Sequence, residues 1–129
     1  VPQLKLWPTA AEALGLDPHR LPRSQPGLEK RAYRIHERFA RDAVELERVY
    51  VLDVGDRLQI DSLDRREAFT ELVSHSYFVK FLAGFGTSII HFKQCTELVK
   101  AVPVFRIARP RTLTQLNKTA ELLEAHSSQ

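Results

Sequence analysis

The sequence contains no methionine, one cysteine and nearly balanced charge. The lone Cys95 excludes an intrachain disulfide framework and a four-cysteine zinc site. The 19 basic and 16 acidic residues give a net charge of +3, which disfavours a simple polycationic nucleic-acid binder. No apolar run approaches the roughly 18 residues of a membrane span, and the first residues do not resemble a signal peptide. These absences favour a soluble, cytoplasmic protein with no membrane partner.

The length and the first residues bear on domain organisation. The 129 residues are enough for one domain that buries its own core. Translation starts with methionine, and Val1–Leu6 has the pattern of a strand without a polar lead-in. We therefore expect residues 1–129 to be a single domain segment, the later part of a longer chain.

Hydrophobic periodicity predicts a chain with strands early and helices late, of the α/β or α+β class. Alternating or continuous apolar residues predict strands at Leu4–Leu6, Leu28–Ile35, Glu47–Val54, Leu58–Ile60 and Val104–Ala108. Apolar residues at helical spacing predict helices at Ala10–Leu14, after Asp64, at Tyr77–Ala83, from Thr87 to Pro103 and after Thr112. Residues 16–28 contain three prolines and predict a surface loop.

Three local patterns make sharper predictions. Thr9 with Glu12 and Asp64 with Glu67 have capping-box spacing and predict helix starts. The run Val49–Leu52 is apolar on both faces and predicts a buried strand. The Gly55–Asp56 pair that follows predicts a hairpin between this strand and the next.

The charges form blocks along the chain. Residues 20–41 contain seven basic and two acidic residues, whereas residues 42–71 contain nine acidic and four basic ones. The basic block predicts a surface that faces phosphate or an acidic partner. The alternative is that the two blocks lie against each other in the fold.

Lys30 and Arg31 are the leading candidates for phosphate contact. They follow the proline-rich loop and lie on a predicted strand. Arginine offers paired donors in a planar fork, and lysine offers a compact charge. Because adjacent strand residues point to opposite faces, we expect one of the two to reach a given phosphate.

Other candidate sites have simpler structural explanations. His91 and Cys95 lie four residues apart but lack the further ligands of a closed metal site, so we expect no metal there. The Ser74–Ser76 run places His75 between two hydroxyls near a helix end, where a structural role is favoured. Walker, G-x-G-x-x-G, H-E-x-x-H and G-x-S-x-G motifs are absent from the sequence. Arg106, Arg109 and Arg111 could form a strip that binds nucleic acid, but we disfavour this interpretation.

Several short motifs carry a family resemblance. They are Pro2–Pro8, Ala13–Leu16, Glu29–Arg31, Val49–Leu52, His75–Tyr77, Val102–Arg106 and Arg109–Pro110. In this order they resemble the C-terminal half of the bacterial-type HPr kinase/phosphorylase-like serine kinases. The resemblance implies a P-loop fold related to ATP-dependent phosphoenolpyruvate carboxykinase.

The resemblance also implies an activity. Such kinases use ATP and Mg²⁺ to phosphorylate a serine or other hydroxyl group on a protein, peptide or small molecule. Their phosphate loop and magnesium-binding aspartates precede the region matched here, so the segment is expected to be inert without the upstream half. The resemblance implies catalytic roles for Glu29 and Arg31 and phosphate contact for Lys30 and Arg31, although Ala32 stands where bacterial HPr kinases have glycine.

Two further expectations complete the sequence-based interpretation. The helices from residue 64 onwards are expected to pack against the sheet or against another subunit of a homo-oligomer. The competing hypothesis is a non-enzymatic module that binds an acidic partner through residues 20–41.

Overall fold

The computed structural model describes residues 2–37, 39–76 and 88–129. It combines helices with a two-stranded and a mixed three-stranded sheet, so the predicted mixture of α and β structure is confirmed. The chain divides into two compact units. One comprises Val1–Val44 with Thr112–Leu116, and the other comprises Glu45–Arg111 with Asn117–Gln129.

The first unit is built on an antiparallel pair, β1 (Gln3–Leu6) and β2 (Arg31–Arg34). Helix α1 (Pro8–Ala13) follows β1 and stops before Gly15, whose φ of 72° is one that L side chains rarely adopt. A 3₁₀ turn follows at Pro18–Arg20, capped by the carboxylate of Asp17. The expected strands and the loop between them are confirmed.

The second unit contains a sheet of order β3-β5-β4, with β3 at Val49–Val54, β4 at Gln59–Ser62 and β5 at Val104–Arg109. Strand β5 pairs in parallel with β3 and antiparallel with β4. This central position buries β5 most deeply, and Ile107 is fully inaccessible to solvent.

Among the described residues, the second unit also contains α2 (Arg65–Ser74), α3 (Ser88–Ala101) and all but the first residue of α4 (Leu116–Ser127). Helix α2 begins with the predicted capping box, since Asp64 Oδ1 accepts from the N–H of Glu67 and Glu67 Oε2 accepts from the N–H of Asp64. The main apolar cluster comprises Val51, Leu63, Ala68 and Val104, with Val49 and Val99 packed against it.

The predicted hairpin is wrong. Strand β4 pairs with β5 instead of β3, because β5 lies between the two strands that are consecutive in the chain. The prediction that Val49–Leu52 is buried is also wrong in part. Val51 is buried, but Leu52, whose side chain lies on the opposite face of this edge strand, is 60% exposed.

Other boundaries differ by a few residues. Helix α1 begins at Pro8, so Thr9 and Glu12 do not form its cap. Helix α4 begins at Leu116, after a turn in which the N–H of Thr114 donates to Thr112 Oγ1. The helix predicted at Tyr77–Ala83 lies outside the described residues.

Candidate functional site

Arg31 lies between two neighbouring chain segments in the first unit. On one side, β2 pairs with β1, which places Leu6 opposite Arg31. On the other side, an isolated antiparallel bridge places Arg23 opposite Arg31. The N–H of Ser24 donates to the carbonyl of Lys30 at 2.8 Å, and the N–H of Ala32 donates to the carbonyl of Pro22 at 2.8 Å. The proline-rich loop thereby continues the sheet alongside β2.

This pairing brings two cationic side chains together. The two flanking hydrogen bonds make Arg23 and Arg31 a non-hydrogen-bonded pair, the type in which opposed side chains are closest. Like charges directly opposite each other repel. Glu29 lies between them, with Oε1 3.3 Å from Arg23 Nη2 and Oε2 3.9 Å from Arg31 Nη2. One carboxylate therefore faces two guanidinium groups, and a positive charge remains.

The Arg31 guanidinium is shielded but incompletely bonded. The side chain is only 16% exposed, whereas Glu29 is 59% exposed. The separation from Glu29 exceeds hydrogen-bond length, and among the described residues Arg31 Nε is buried without a hydrogen-bond partner. Ser24 Oγ, from the paired loop, is in the same situation. Such groups favour a ligand that can accept a hydrogen bond.

Lys30 points elsewhere. Its ammonium nitrogen lies 5.2 Å from the centroid of the Trp7 ring, a cation–π contact at the end of the β1–β2 pair. The structure therefore places Glu29 with Arg31 but associates Lys30 with Trp7. The expectation that one of the two cations would reach a given phosphate stays a prediction, with Arg31 as the candidate that this arrangement favours.

A cavity of about 620 Å³ opens beside this cluster in the same unit. Its cationic lining comes from Arg23 and Arg34, and the other polar lining includes Ser24, Tyr33 and His36. As far as the described residues show, no carboxylate lines it. The surface predicted from the basic block at 20–41 therefore includes a concave region, which charge counting alone could not show.

The other predicted candidates form structural contacts. Cys95 Sγ lies 3.6 Å from His91 Nε2, so the pair is close, but burial raises the pKa of the Cys95 thiol and disfavours the thiolate that binds metals. Within residues 2–37, 39–76 and 88–129, no group of three His, Cys, Asp or Glu side chains is placed to hold a metal ion.

The serines beside His75 also act locally. Ser74 Oγ donates to the carbonyl of Thr70 and Ser76 Oγ donates to the carbonyl of Leu72, while His75 Nε2 lies 3.4 Å from Glu71 Oε2. The imidazole faces a carboxylate, and both hydroxyl groups donate to backbone carbonyls of the preceding helical turn. This geometry supports the structural role that the sequence favoured.

Arg106 does not belong to a basic strip. Its Nη2 donates to Glu71 Oε1 at 2.7 Å, and its Nε lies 3.7 Å from Asp53 Oδ2. The hydrogen bond to Glu71 is the main cause that raises the pKa of Arg106. The arginine thus joins α2 to β5 and β3 within the second unit.

Sequence reasoning did not single out Arg23 and Ser24 as parts of the candidate site. Their signal was the basic, proline-rich loop, but only the pairing of residues 22–24 with β2 places them beside Arg31.

Comparisons with protein-family models, curated proteins and solved structures find no match to this chain. None of the helices in the described parts of the chain combines the length and apolar content needed to cross a bilayer.

Proposed function

We propose that this chain is the C-terminal segment of a cytoplasmic, ATP-dependent kinase of the HPr kinase-like type, with a P-loop fold related to phosphoenolpyruvate carboxykinase. The reaction transfers the terminal phosphoryl group of ATP to a serine or other hydroxyl oxygen of a protein, peptide or small-molecule acceptor and leaves ADP. The phosphate loop belongs to the upstream half, so residues 1–129 alone are inert. The ordered motifs from Pro2 to Pro110 support this proposal.

The single observation that carries the proposal is the state of Arg31. Its guanidinium is largely shielded from water, stands opposite Arg23 and has an unpartnered Nε among the described residues. An arginine in this setting gains from an anion with several acceptor oxygens, and a transferring phosphoryl group is such an anion. Electrostatic stabilisation of this kind is a large protein contribution to phosphoryl transfer.

The neighbouring residues have separate roles in this proposal. Glu29 holds the Arg23 and Arg31 guanidinium groups on the same side of the sheet, and thereby orients Arg31. Nucleotide contact by Lys30 rests on the family resemblance, since its ammonium group lies over Trp7 and not beside Arg31. ATP supplies the phosphoryl group, and Mg²⁺ offsets the charge on its phosphates. Arg31 fits a phosphate ligand, whereas the magnesium ligands are assigned to the upstream half.

The first test is the coding sequence of the parent chain, followed by kinetics on the full-length protein. We expect a phosphate loop, G-x-x-x-x-G-K-[ST], in the residues encoded before Val1. Arg31→Ala should lower turnover by about 100-fold, the size expected when one charge-stabilising donor is lost. Arg34→Ala, on the same strand but lining the cavity, is the matched control and should retain turnover.

The kinase proposal fails if the parent chain has no phosphate loop and binds no nucleotide in the presence of Mg²⁺. It also fails if Arg31→Ala and Arg34→Ala reduce turnover equally. Glu29→Gln removes the negative charge of Glu29 and tests whether this residue orients Arg31. If it does, turnover should fall while nucleotide affinity is unchanged or higher. Circular dichroism of each variant verifies that the fold is retained.

The cavity favours a second candidate function, a non-enzymatic module that binds an acidic partner through residues 20–41. Two arginine side chains line this space, and the described part of its lining has no carboxylate. Here Arg34→Ala should weaken binding of an acidic peptide at least as much as Arg31→Ala, and the affinity should fall as salt rises. The two proposals thus differ on Arg34→Ala, which should be harmless to the kinase but should weaken binding by the module.

A further inference from the structure

The outer edge of β3 in the second unit lacks a strand partner among the described residues. The N–H of Val49 donates to the carbonyl of Pro103, and the N–H of Gly55 donates to the carbonyl of Arg109. In a regular parallel ladder, these two bonds mean that the odd-numbered residues of β3 direct their backbone groups to β5. The even-numbered residues Tyr50, Leu52 and Val54 therefore direct theirs outward.

The side chains along this edge are also unusual for exposed positions. Leu52 is 60% exposed and Val54 is 55% exposed, although both lie in a run with the composition of a buried strand. Exposed edge strands are normally protected by lysine, proline or a bulge. None of the three outward-directed residues is charged or a proline. The local protection is the hydrogen bond from the Val54 N–H to Asp53 Oδ1, at 2.8 Å on the surface.

We propose that this edge pairs with the same edge of a second copy of the chain, antiparallel and centred on Leu52. In that register Leu52 faces Leu52 of the second copy as a hydrogen-bonded pair, and Tyr50 faces Val54. The residues with outward backbone groups are then those that exchange hydrogen bonds. Because the two-fold axis is perpendicular to the sheet, the exposed apolar side chains of both copies lie on one common face.

Charge supports a second copy as the occupant. The register places no like charges opposite each other within the strand, since Asp53 faces Val51 and the remaining pairs are uncharged. Beyond the strand, Glu47 and Arg48 stand at one end, and Asp56 and Arg57 stand at the other. An antiparallel partner brings Arg48 toward Asp56 and Glu47 toward Arg57. Within its own chain, Arg48 donates to the neutral carbonyl of His126 and Arg57 donates to the neutral amide of Gln59, so neither arginine is neutralised by these bonds. The edges of two copies are therefore compatible with each other in both polarity and charge.

The oligomeric state tests this inference on the chain of residues 1–129. Light scattering after size exclusion should give twice the monomer mass of 14.8 kDa at high concentration and the monomer mass on dilution. Leu52→Lys should give a monomer throughout, because two ammonium groups would meet at the axis. Ile89→Lys, an equally drastic change at a 77% exposed site on α3, is the matched control and should still dimerise.

Three further variants test the register. Val54→Pro removes an outward N–H without affecting the ladder to β5, and should abolish the dimer while the thermal unfolding of the monomer is retained. Leu52→Cys should form an intermolecular disulfide with diamide, since hydrogen-bonded pairs have Cα atoms about 5.5 Å apart. Val54→Cys should not, because its counterpart lies about four residues further along the partner strand. Wild-type protein, whose Cys95 is buried, supplies the background.

A chain that stays monomeric at all accessible concentrations overturns the inference. So does a dimer that survives Leu52→Lys, or cross-linking that is equal for both cysteine variants. None of these measurements involves nucleotide or Arg31. Failure of the dimer proposal therefore leaves the proposed kinase function untouched, and failure of the kinase proposal leaves the dimer proposal untouched.

Discussion

Ile107 and Leu52 offer a direct comparison of buried and exposed positions in one sheet. They are register partners on β5 and β3, and both are large aliphatic side chains. Ile107 is fully buried, whereas Leu52 is 60% exposed. Truncation of each to alanine removes the same number of carbon atoms, so differences in stability report on burial.

The expected magnitudes follow from this exposure. Three buried carbon atoms at about 0.8 kcal/mol each give about 2.4 kcal/mol for Ile107→Ala, and the cavity that remains raises the loss to about 3 kcal/mol. Leu52 buries less than half of its surface, so the same truncation should cost about 1 kcal/mol. The free energy of unfolding should therefore differ by about 2 kcal/mol between the two variants.

Urea denaturation followed by circular dichroism measures both values. The protein is kept dilute, so that subunit association does not contribute to the stability. Equal losses for the two variants would refute the assignment of β3 to an edge, since they would mean that Leu52 is as buried as Ile107. A loss below about 1 kcal/mol for Ile107→Ala would refute the central position of β5.

Three further predictions concern individual contacts in the second unit. Asp64→Ala removes the cap of α2 and should cost about 1 kcal/mol in urea unfolding, while Asp56→Ala should stay within about 0.5 kcal/mol. Burial raises the pKa of Cys95, so its contribution to stability is present below the ordinary thiol pKa and is lost as the pH rises through the folded pKa. Unfolding measured as the pH is raised from about 8 should show this loss, and Cys95→Ala should reduce it. A double-mutant cycle on Arg106 and Glu71 should give about 1 kcal/mol of coupling that decreases at high salt, because both side chains are partly exposed.

Local signals in the sequence predicted local structure well. The Asp64–Glu67 spacing predicted the capping box because both partners lie within one helical turn. The strands at Gln3–Leu6 and Val104–Arg109 were predicted because alternation is a property of a short segment. The Thr9–Glu12 spacing had the same form but failed, since Pro8 is already helical and moves the cap to Trp7.

The same local signals could not predict which strands pair over long distances in the chain. The run Val49–Leu52 indicated a strand that is apolar on both faces, but not which strands lie beside it. The insertion of β5 between β3 and β4 joins residues about 50 positions apart, and no turn motif encodes it. The candidate site shows the same division. Lys30 and Arg31 stand out as charges in the sequence, whereas the opposition of Arg23 to Arg31 depends on a bridge across the loop.

Gly55 illustrates how one residue can be predicted for the wrong reason. Its sequence context indicated a hairpin turn, in which glycine supplies a positive φ. In the structure the requirement is space, because a Cβ atom at Gly55 would lie 3.0 Å from the Cβ atom of Ala108 on the central strand. Gly55→Ala should therefore crowd the sheet and cost about 1 to 3 kcal/mol in urea unfolding.

A compensating variant tests whether crowding is the cause. Ala108→Gly removes the opposing methyl group, and alone it should cost about 0.5 to 1 kcal/mol as a glycine within a strand. If crowding is the cause, the double variant should be more stable than the sum of the single losses predicts, since the clash of the first variant no longer exists. Additive losses would refute crowding, and since Gly55 is not among the glycines with positive φ, its requirement would then need another explanation.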